Sequence, residues 1–153
     1  MVILIASDGA QVDIDNSVAR HSPLIGNFLN DDEKEVHIPL PFITSGILTK
    51  VMEYCKFHHN DPPVSHDDLG RAKEHFASVW DDTFITNNRE TLIDIILAAH
   101  YLGIKALLNL GCMAVADMIA GKSVNEIRTQ FNIDNDFTPE EEEEIRRETA
   151  WIE

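Results

Sequence analysis

The chain of 153 residues is poor in cysteine, glycine and basic side chains. Two cysteines cannot supply the disulfide framework that holds small secreted domains together. Lys and Arg number 12 against 27 Asp and Glu, a formal net charge of −15, which argues against direct binding of nucleic acid or an anionic membrane. No apolar run is long enough to cross a bilayer. These absences favour a reduced intracellular protein whose partners are other proteins.

The first residues do not resemble a signal peptide. MVILIASDG is apolar for only a few positions and lacks a basic start. By elimination, we expect the protein in the cytoplasm and nucleus.

Motifs for catalysis or cofactor binding are also missing from the sequence. There is no Gly-rich phosphate loop and no Gly-x-Ser-x-Gly element. The best metal-ligand group is Cys55, His58 and His59, but no second pair with matching spacing completes four ligands. We therefore expect no metal site, no cofactor and no enzymatic activity.

Strand patterns lie in the first 40 residues. VILIA and QVDID flank an Asp-Gly turn and predict a β-hairpin, and EVHIPLP predicts a short strand that its prolines end. In the segment that joins them, Leu24, Ile25, Phe28 and Leu29 are expected in the core.

Helical patterns dominate from residue 44 onward. TSGILTKVMEYCKFHH has Thr44 or Ser45 as its cap, and RETLIDIILAAHYLG should end at Gly103. IKALLNLGCMAVADMIAG is apolar almost all round and should be central, ending at Gly121. Both cysteines fall in such patterns, so we expect both to be buried. Between the first two helices, residues 61–82 open with Pro-Pro and are predicted to form a flexible acidic loop.

The C-terminal segment contains helix starts but little to bury. Ser123 with Glu126, and Thr138 with Glu141, have the spacing of capping boxes, and Pro139 suits a first helical position. Residues 134–153 hold nine acidic residues and two arginines. The apolar residues here either pack on the chain's own core or leave a groove for a partner helix. Strands early and helices late predict an α+β domain with a helical extension.

The same segments resemble a known family. NEIRTQFNIDNDFTPEEEEEIRRETAWIE is similar to the C-terminus of the S-phase-kinase-associated adaptors of SCF ubiquitin ligases, and VWDDTF, IILAAHYLGIKALL, CMAVADMIAGKS, IPLP and ILTKVMEYCKFHHNDPP extend the likeness over nearly the whole chain. The resemblance implies a BTB/POZ fold over residues 1–120 and F-box-binding helices over 121–153. It also implies a non-catalytic adaptor that links a cullin scaffold to F-box substrate receptors for ubiquitin-dependent proteolysis.

Matching the family position by position assigns two sets of contact residues. Residues on the cullin side are His100 and Tyr101, and His100 stands where the family commonly has Asn. Phe42 likewise replaces an Asn that usually follows PLP. Residues on the F-box side are Val115, Ile119, Phe131, Ile133, Phe137, Ile145 and Trp151. The resemblance also makes a homodimer a candidate state of the free chain.

Two other functions stay open at this point. A BTB-type adaptor can serve another assembly that contains an F-box subunit, such as a kinetochore complex. A strongly acidic protein can also be a chaperone or histone-binding protein, whose contacts should weaken at moderate salt.

Overall fold

The computed structural model describes residues 1–29, 35–61 and 78–152. In these ranges the strands form a three-stranded sheet of order β2-β1-β3, with β1 at Val2–Ala6, β2 at Gln11–Ile14 and β3 at Val36–Leu40. β1 pairs antiparallel with β2 and parallel with β3. The predicted hairpin and the predicted third strand are both confirmed, and Pro39 occupies an edge strand, where its missing N–H is tolerated.

Helices make up most of the remaining described structure. Two short ones follow the hairpin, α1 at Asn16–Ala19 and α2 at Pro23–Gly26. The longer helices before residue 120 are α3 (Ser45–Phe57), α4 (Val79–Asn87), α5 (Leu92–Leu102) and α6 (Lys105–Ile119). The last two are α7 (Val124–Phe131) and α8 (Pro139–Thr149), and short 3-10 turns lie at Arg89–Thr91 and Ala150–Ile152.

The described residues divide into two compact units, residues 1–116 and 117–153. The division falls inside α6, and the boundary after residue 120 that the sequence suggested stays a prediction. In the first unit, α3 contacts the sheet and α5, and a continuous apolar core lies among them. Leu4, Leu48, Ile95 and Leu102 have essentially no exposed surface. Burial of this kind is the dominant stabilising contribution in a small domain.

The end of α5 is fixed by a glycine and a buried serine. The helix ends at Gly103 as predicted, and this glycine has φ +74°, the left-handed conformation common at helix ends. Ser22 is buried, and its hydroxyl donates to the carbonyl of Leu102 while accepting from the amide of Ile25. These contacts join α2 to the C-terminus of α5.

α5 and α6 approach closely at Gly111. A Cβ at that position would lie 2.4 Å from Cγ1 of Ile96, so a side chain larger than hydrogen requires the Ile96 side chain or the helices to shift. This glycine is explained by packing rather than by its backbone conformation.

The predicted loop over residues 61–82 is wrong at its end. Ser78 accepts a hydrogen bond from the amide of Asp81 through its hydroxyl, and the Asp81 carboxylate accepts from Ser78, so a capping box starts α4 at Val79. Asp81 is 1% exposed. The spacing Ser-x-x-Asp was readable as a helix start. Residues 62–77 of the predicted loop lie outside the described residues.

Burial was mispredicted at three other places. Cys55 is buried as expected, but Cys112 is exposed. The sequence also predicted that α6 is central along its length, but Ile119 in its last turn is 40% exposed, although Met118 beside it is buried. Phe28 was expected in the core and is 54% exposed. In each case an apolar segment has more apolar surface than its neighbours cover, and the sequence does not say which part stays outside.

Candidate partner-binding surfaces

The helices of the second unit begin with strong local stabilisation. Ser123 accepts from the amide of Glu126, and Thr138 accepts from the amide of Glu141. In return, each glutamate carboxylate accepts from the backbone amide of the capping residue. Both predicted capping boxes are confirmed, and Pro139 occupies the first turn of α8. The serine contacts hold the pKa of the exposed Glu126 below its usual range.

A connector, defined here as residues 132–138, joins α7 to α8. Asn132 has φ +53°, and the amide of Ile133 donates to the carbonyl of Arg128, which closes α7 in a left-handed C-terminal turn. The amide of Phe137 donates to the side-chain oxygen of Asn135 at 3.2 Å. Local hydrogen bonds therefore fix a connector whose apolar side chains are not in a core.

Apolar side chains of the second unit remain in solvent. Neither α7 nor α8 has a buried residue. We call the exposed members of the predicted F-box set in this unit the C-terminal apolar set, and their exposed fractions are Ile119 40%, Ile133 55%, Phe137 47%, Ile145 42% and Trp151 82%. Phe131 is partly exposed. Of the two alternatives that the sequence left open, the structure favours unburied apolar residues, which is typical of a surface that awaits a partner.

Val115, the remaining residue of that set, lies in the first unit on α6 and is partly buried. Whether the set forms one binding surface stays a prediction.

The two predicted cullin contacts lie near the end of α5. His100 is exposed, and Tyr101 is 38% exposed. The Tyr101 ring meets the ring of Phe42 edge to face, with centroids 5.6 Å apart and planes at 76°. Phe42 itself is 79% exposed, so this aromatic pair stands on the surface.

A cavity of about 330 Å³ lies beside this aromatic pair, and we call it the Phe42 groove. Its walls come from the turn after β3, from α3 and from α5. Asp94 supplies a carboxylate there, so the groove combines an apolar floor with one acidic side chain. The lining residues are Phe42, Ile43, Thr44, Ile47, Asp94, Leu97, Ala98 and Tyr101. Such a groove suits an apolar side chain of a partner with a basic group close by.

Sequence reasoning missed part of this surface. Ile93 and Leu97 are 46% and 62% exposed, and with Tyr101 they follow i, i+4, i+8 spacing along α5. That spacing is a second apolar stripe beside the buried one at Ile95, Ala99 and Leu102. The stripe was visible in the sequence, because α5 has more apolar positions than one face can hold.

The residues once considered as metal ligands make other contacts. Nε2 of His58 lies 2.8 Å from a carboxylate oxygen of Asp81, and Nδ1 contacts Asp61. His59 Nδ1 lies 3.2 Å from the carbonyl of Lys56. Burial raises the pKa of the Cys55 thiol to about 12, so this sulfur stays protonated at neutral pH. Among the described residues, no three side chains are grouped to hold a metal ion.

His58 also borders an aromatic cluster in the first unit. Phe57 and Trp80 stack with centroids 4.2 Å apart and planes at 5°, and Tyr54 and Phe84 pack beside Trp80. Burial, with a contribution from the nearby Asp81, raises the pKa of the Tyr54 hydroxyl. The cluster packs α4 against the end of α3 and forms part of the scaffold.

No helix in the described ranges combines the length and apolarity that a membrane crossing requires. The fold and surfaces together define a POZ domain that carries a helical extension with unburied apolar residues. This class is matched by two family models, one described as the Skp1 family tetramerisation domain over residues 1–60 and one as the Skp1 family dimerisation domain over residues 105–152.

Curated relatives of the same family match 99% of the chain. An "E3 ubiquitin ligase complex SCF subunit sconC" of Arthroderma otae is 51% identical, covering 99% of this chain and 94% of the relative. "SKP1-like protein 11" of Arabidopsis thaliana is 46% identical over 99% of this chain and 95% of its own length. A sconC protein of Talaromyces marneffei is 48% identical, with 99% and 96% covered. The chain belongs to the Skp1 family.

Proposed function

We propose that this protein is a non-catalytic adaptor of an SCF ubiquitin ligase, which links F-box substrate receptors to a cullin scaffold. Membership of the Skp1 family and relatives whose names describe SCF subunits support this function. The adaptor needs two binding surfaces and no catalytic site. We place the protein in the cytoplasm and nucleus, and a fluorescent fusion seen only in another compartment would contradict that placement.

The observation that carries the proposal is the exposure of apolar residues in the second unit. Trp151 at 82%, Ile133 at 55% and Phe137 at 47% are costly to leave in water. A partner that supplies apolar helices would bury them, and tryptophan is a frequent centre of binding energy in such contacts. We assign the C-terminal apolar set, with Phe131 and Val115, to the F-box contact.

The Phe42 groove is our candidate for the cullin contact. Tyr101 lines it, His100 lies beside Tyr101 on the same helix, and both were assigned to the cullin by the family match. The net charge of −15 would attract a basic partner surface and raise its association rate more than its affinity.

The test is a pull-down from native cell extract at moderate salt, with proteins identified by mass spectrometry. The baits are the full chain, its Phe137→Ala variant and its Tyr101→Ala variant. We expect the wild type to recover a cullin and several F-box proteins. Phe137→Ala should recover markedly less of the F-box proteins and keep the cullin, and Tyr101→Ala should lose the cullin and keep the F-box proteins. Each variant is thus the control for the other.

Other results would redirect the assignment. Recovery of neither partner class by the wild type would contradict the adaptor function. Recovery of basic proteins only at low salt would favour the acidic chaperone or histone-binding alternative. F-box proteins recovered without any cullin would favour a different F-box assembly, such as a kinetochore complex.

A further inference from the structure

The polar contacts around Arg128 in the second unit carry one further inference. Arg128 lies in the last turn of α7, and its side chain is only 18% exposed although no residue of α7 is buried. Its Nη1 donates to Oδ1 of Asn125 at 3.3 Å and to Oε1 of Glu142 at 3.5 Å. One guanidinium therefore contacts its own helix and the first turns of α8.

The same guanidinium covers an aromatic side chain of the connector. Cζ of Arg128 lies 5.9 Å from the centroid of the Phe137 ring, within cation–π distance. Phe137 nevertheless remains 47% exposed, so part of its ring stays available to a partner. A flat guanidinium restricts the ring on one side without removing it from the surface.

Glu142, which accepts from Arg128, also hydrogen-bonds to the connector. Oε1 of Glu142 accepts from Nδ2 of Asn135 at 2.7 Å, and Oδ1 of Asn135 accepts from the backbone amide of Phe137. The path from Arg128 through Glu142 and Asn135 thus ends at the backbone that carries Phe137. Arg128 therefore contacts the Phe137 ring directly and is linked to the Phe137 backbone through Glu142 and Asn135.

Core burial contributes little to this positioning, because the apolar residues Ile127 and Phe131 of α7 are only partly buried. α7 and α8 span 8 and 11 residues, lengths at which isolated helices are marginal in water. Neither contains a fully buried residue, so polar and cation–π contacts make a large contribution to the relative placement of helix and connector. Restricting a contact residue before binding reduces the entropy lost when the partner arrives.

We infer that Arg128 is a positioning residue for partner binding, which acts through Phe137 and the connector rather than by contacting the core. This inference rests on the proposed function, because the partner is taken to be an F-box segment. A second arginine provides a matched control. Arg147 pairs with Glu143 at 2.8 Å one turn away on α8, but its side chain is 78% exposed and the pair stays within one helix.

The experiment is a double-mutant cycle in the full chain, with affinity measured by calorimetry for a purified F-box segment from a receptor recovered in the pull-down. Arg128→Ala should raise the Kd about tenfold in the wild-type background, the size of a moderate interface contribution. In the Phe137→Ala background the same change should raise the Kd less than about twofold, because a residue that acts through Phe137 loses its effect with it. Arg147→Ala should leave the Kd within about twofold of wild type.

Equal effects of Arg128→Ala in the two backgrounds would overturn the inference, since a purely structural role adds to the loss of Phe137. An unchanged Kd would overturn it too. If Arg128→Ala loses helical circular dichroism, the variant is unfolded in part, and the Kd of Arg128→Lys is the test instead. Lysine keeps the charge near Glu142 but lacks the flat guanidinium, so we expect a Kd between wild type and Arg128→Ala, and wild-type affinity would overturn the inference. Failure of the wild-type chain to bind the F-box segment would contradict the proposed function itself.

Discussion

The two units of this protein treat their apolar residues in opposite ways. Residues 1–116 build a continuous core around β1, α3 and α5, where Leu48, Ile95 and Leu102 are fully buried, although other apolar side chains of this unit stay on the surface. Among the described residues of 117–152, only Met118 is buried, while Trp151 and Ile133 are exposed. The second unit relies on capping boxes and side-chain hydrogen bonds instead.

This difference shows which interactions stabilise each unit. Burial gives the first unit stability that needs no partner. Local helix signals give the second unit a defined conformation but leave its apolar side chains exposed to solvent. The first unit is therefore suited to be a scaffold, and the second to be completed by binding.

The sharpest comparison applies one substitution to both units. Ile95→Ala removes a fully buried side chain from α5 and should lower the free energy of unfolding by about 2–5 kcal/mol. Ile145→Ala acts on a side chain that is 42% exposed on α8, and we expect a change of no more than about 0.5 kcal/mol. Chemical denaturation of the purified chain measures both. Similar losses from the two substitutions would mean that the second unit has a core of its own.

The contact between α5 and α6 gives a second test. Gly111→Ala introduces a Cβ 2.4 Å from Cγ1 of Ile96, so we expect a loss of about 1–3 kcal/mol in spite of the higher helix propensity of alanine. Gly46→Ala is the control, because nothing lies within 4 Å of its added Cβ on α3. Thermal unfolding that ranks Gly111→Ala at or above wild type would show that the close approach does not constrain the helices.

The sequence predicted those parts of the architecture that depend on local interactions, such as turns and helix ends. Asp-Gly between apolar strands specified the hairpin, Gly103 ended α5, and Ser123 and Thr138 started the last helices. The capping pair at Ser78 and Asp81 was present too, but an acidic, proline-led segment hid it.

The sequence was less informative about which side chains are buried by other elements of the fold. The exposure of Cys112 and Phe28 depends on which neighbours lie over them, and apolar periodicity does not contain that information. The stripe at Ile93, Leu97 and Tyr101 could have been found by counting apolar positions on α5, whereas the edge-to-face contact of Phe42 with Tyr101 joins distant parts of the chain. The assignment of individual residues to partners stays a prediction.

The capping boxes allow a smaller comparison between the units. Ser78→Ala removes a donor to the buried Asp81 carboxylate and should destabilise the first unit by about 1–3 kcal/mol. Thr138→Ala removes a cap from an exposed helix start and should cost α8 about 0.5–2 kcal/mol. Hydrogen exchange should show faster exchange in α4 for the first variant and in α8 for the second. Faster exchange spreading from Thr138→Ala into the sheet would contradict the independence of the two stabilising strategies.

The smallest expected effect concerns Asp8, whose carboxylate accepts from both the amide and the hydroxyl of Ser45 at the start of α3. The hydroxyl bond, followed by the amide bond, holds the pKa of Asp8 below its ordinary value of 3.8. A lowered pKa in the folded state means that this stabilisation is present above about pH 4 and is lost as pH falls through the folded pKa.

We therefore expect Asp8→Asn to be slightly less stable than wild type at neutral pH, with the difference shrinking in acid. Denaturant midpoints for both proteins between pH 7 and pH 3 measure it. A stability difference that grows on acidification would contradict the lowered pKa of Asp8 in the folded protein.

The most direct test of the central claim is the affinity of Trp151→Ala for an F-box segment, measured beside its unfolding. Trp151 is 82% exposed in the second unit, and Val79, which is 84% exposed in the first, is the matched control. We predict that Trp151→Ala weakens binding by about 2 kcal/mol or more, the range of an interface hot spot, with no change in the unfolding of residues 1–116. Val79→Ala should change neither quantity. Loss of the folded first unit in Trp151→Ala, or F-box binding at wild-type affinity, would contradict the claim that the second unit keeps its apolar residues for a partner.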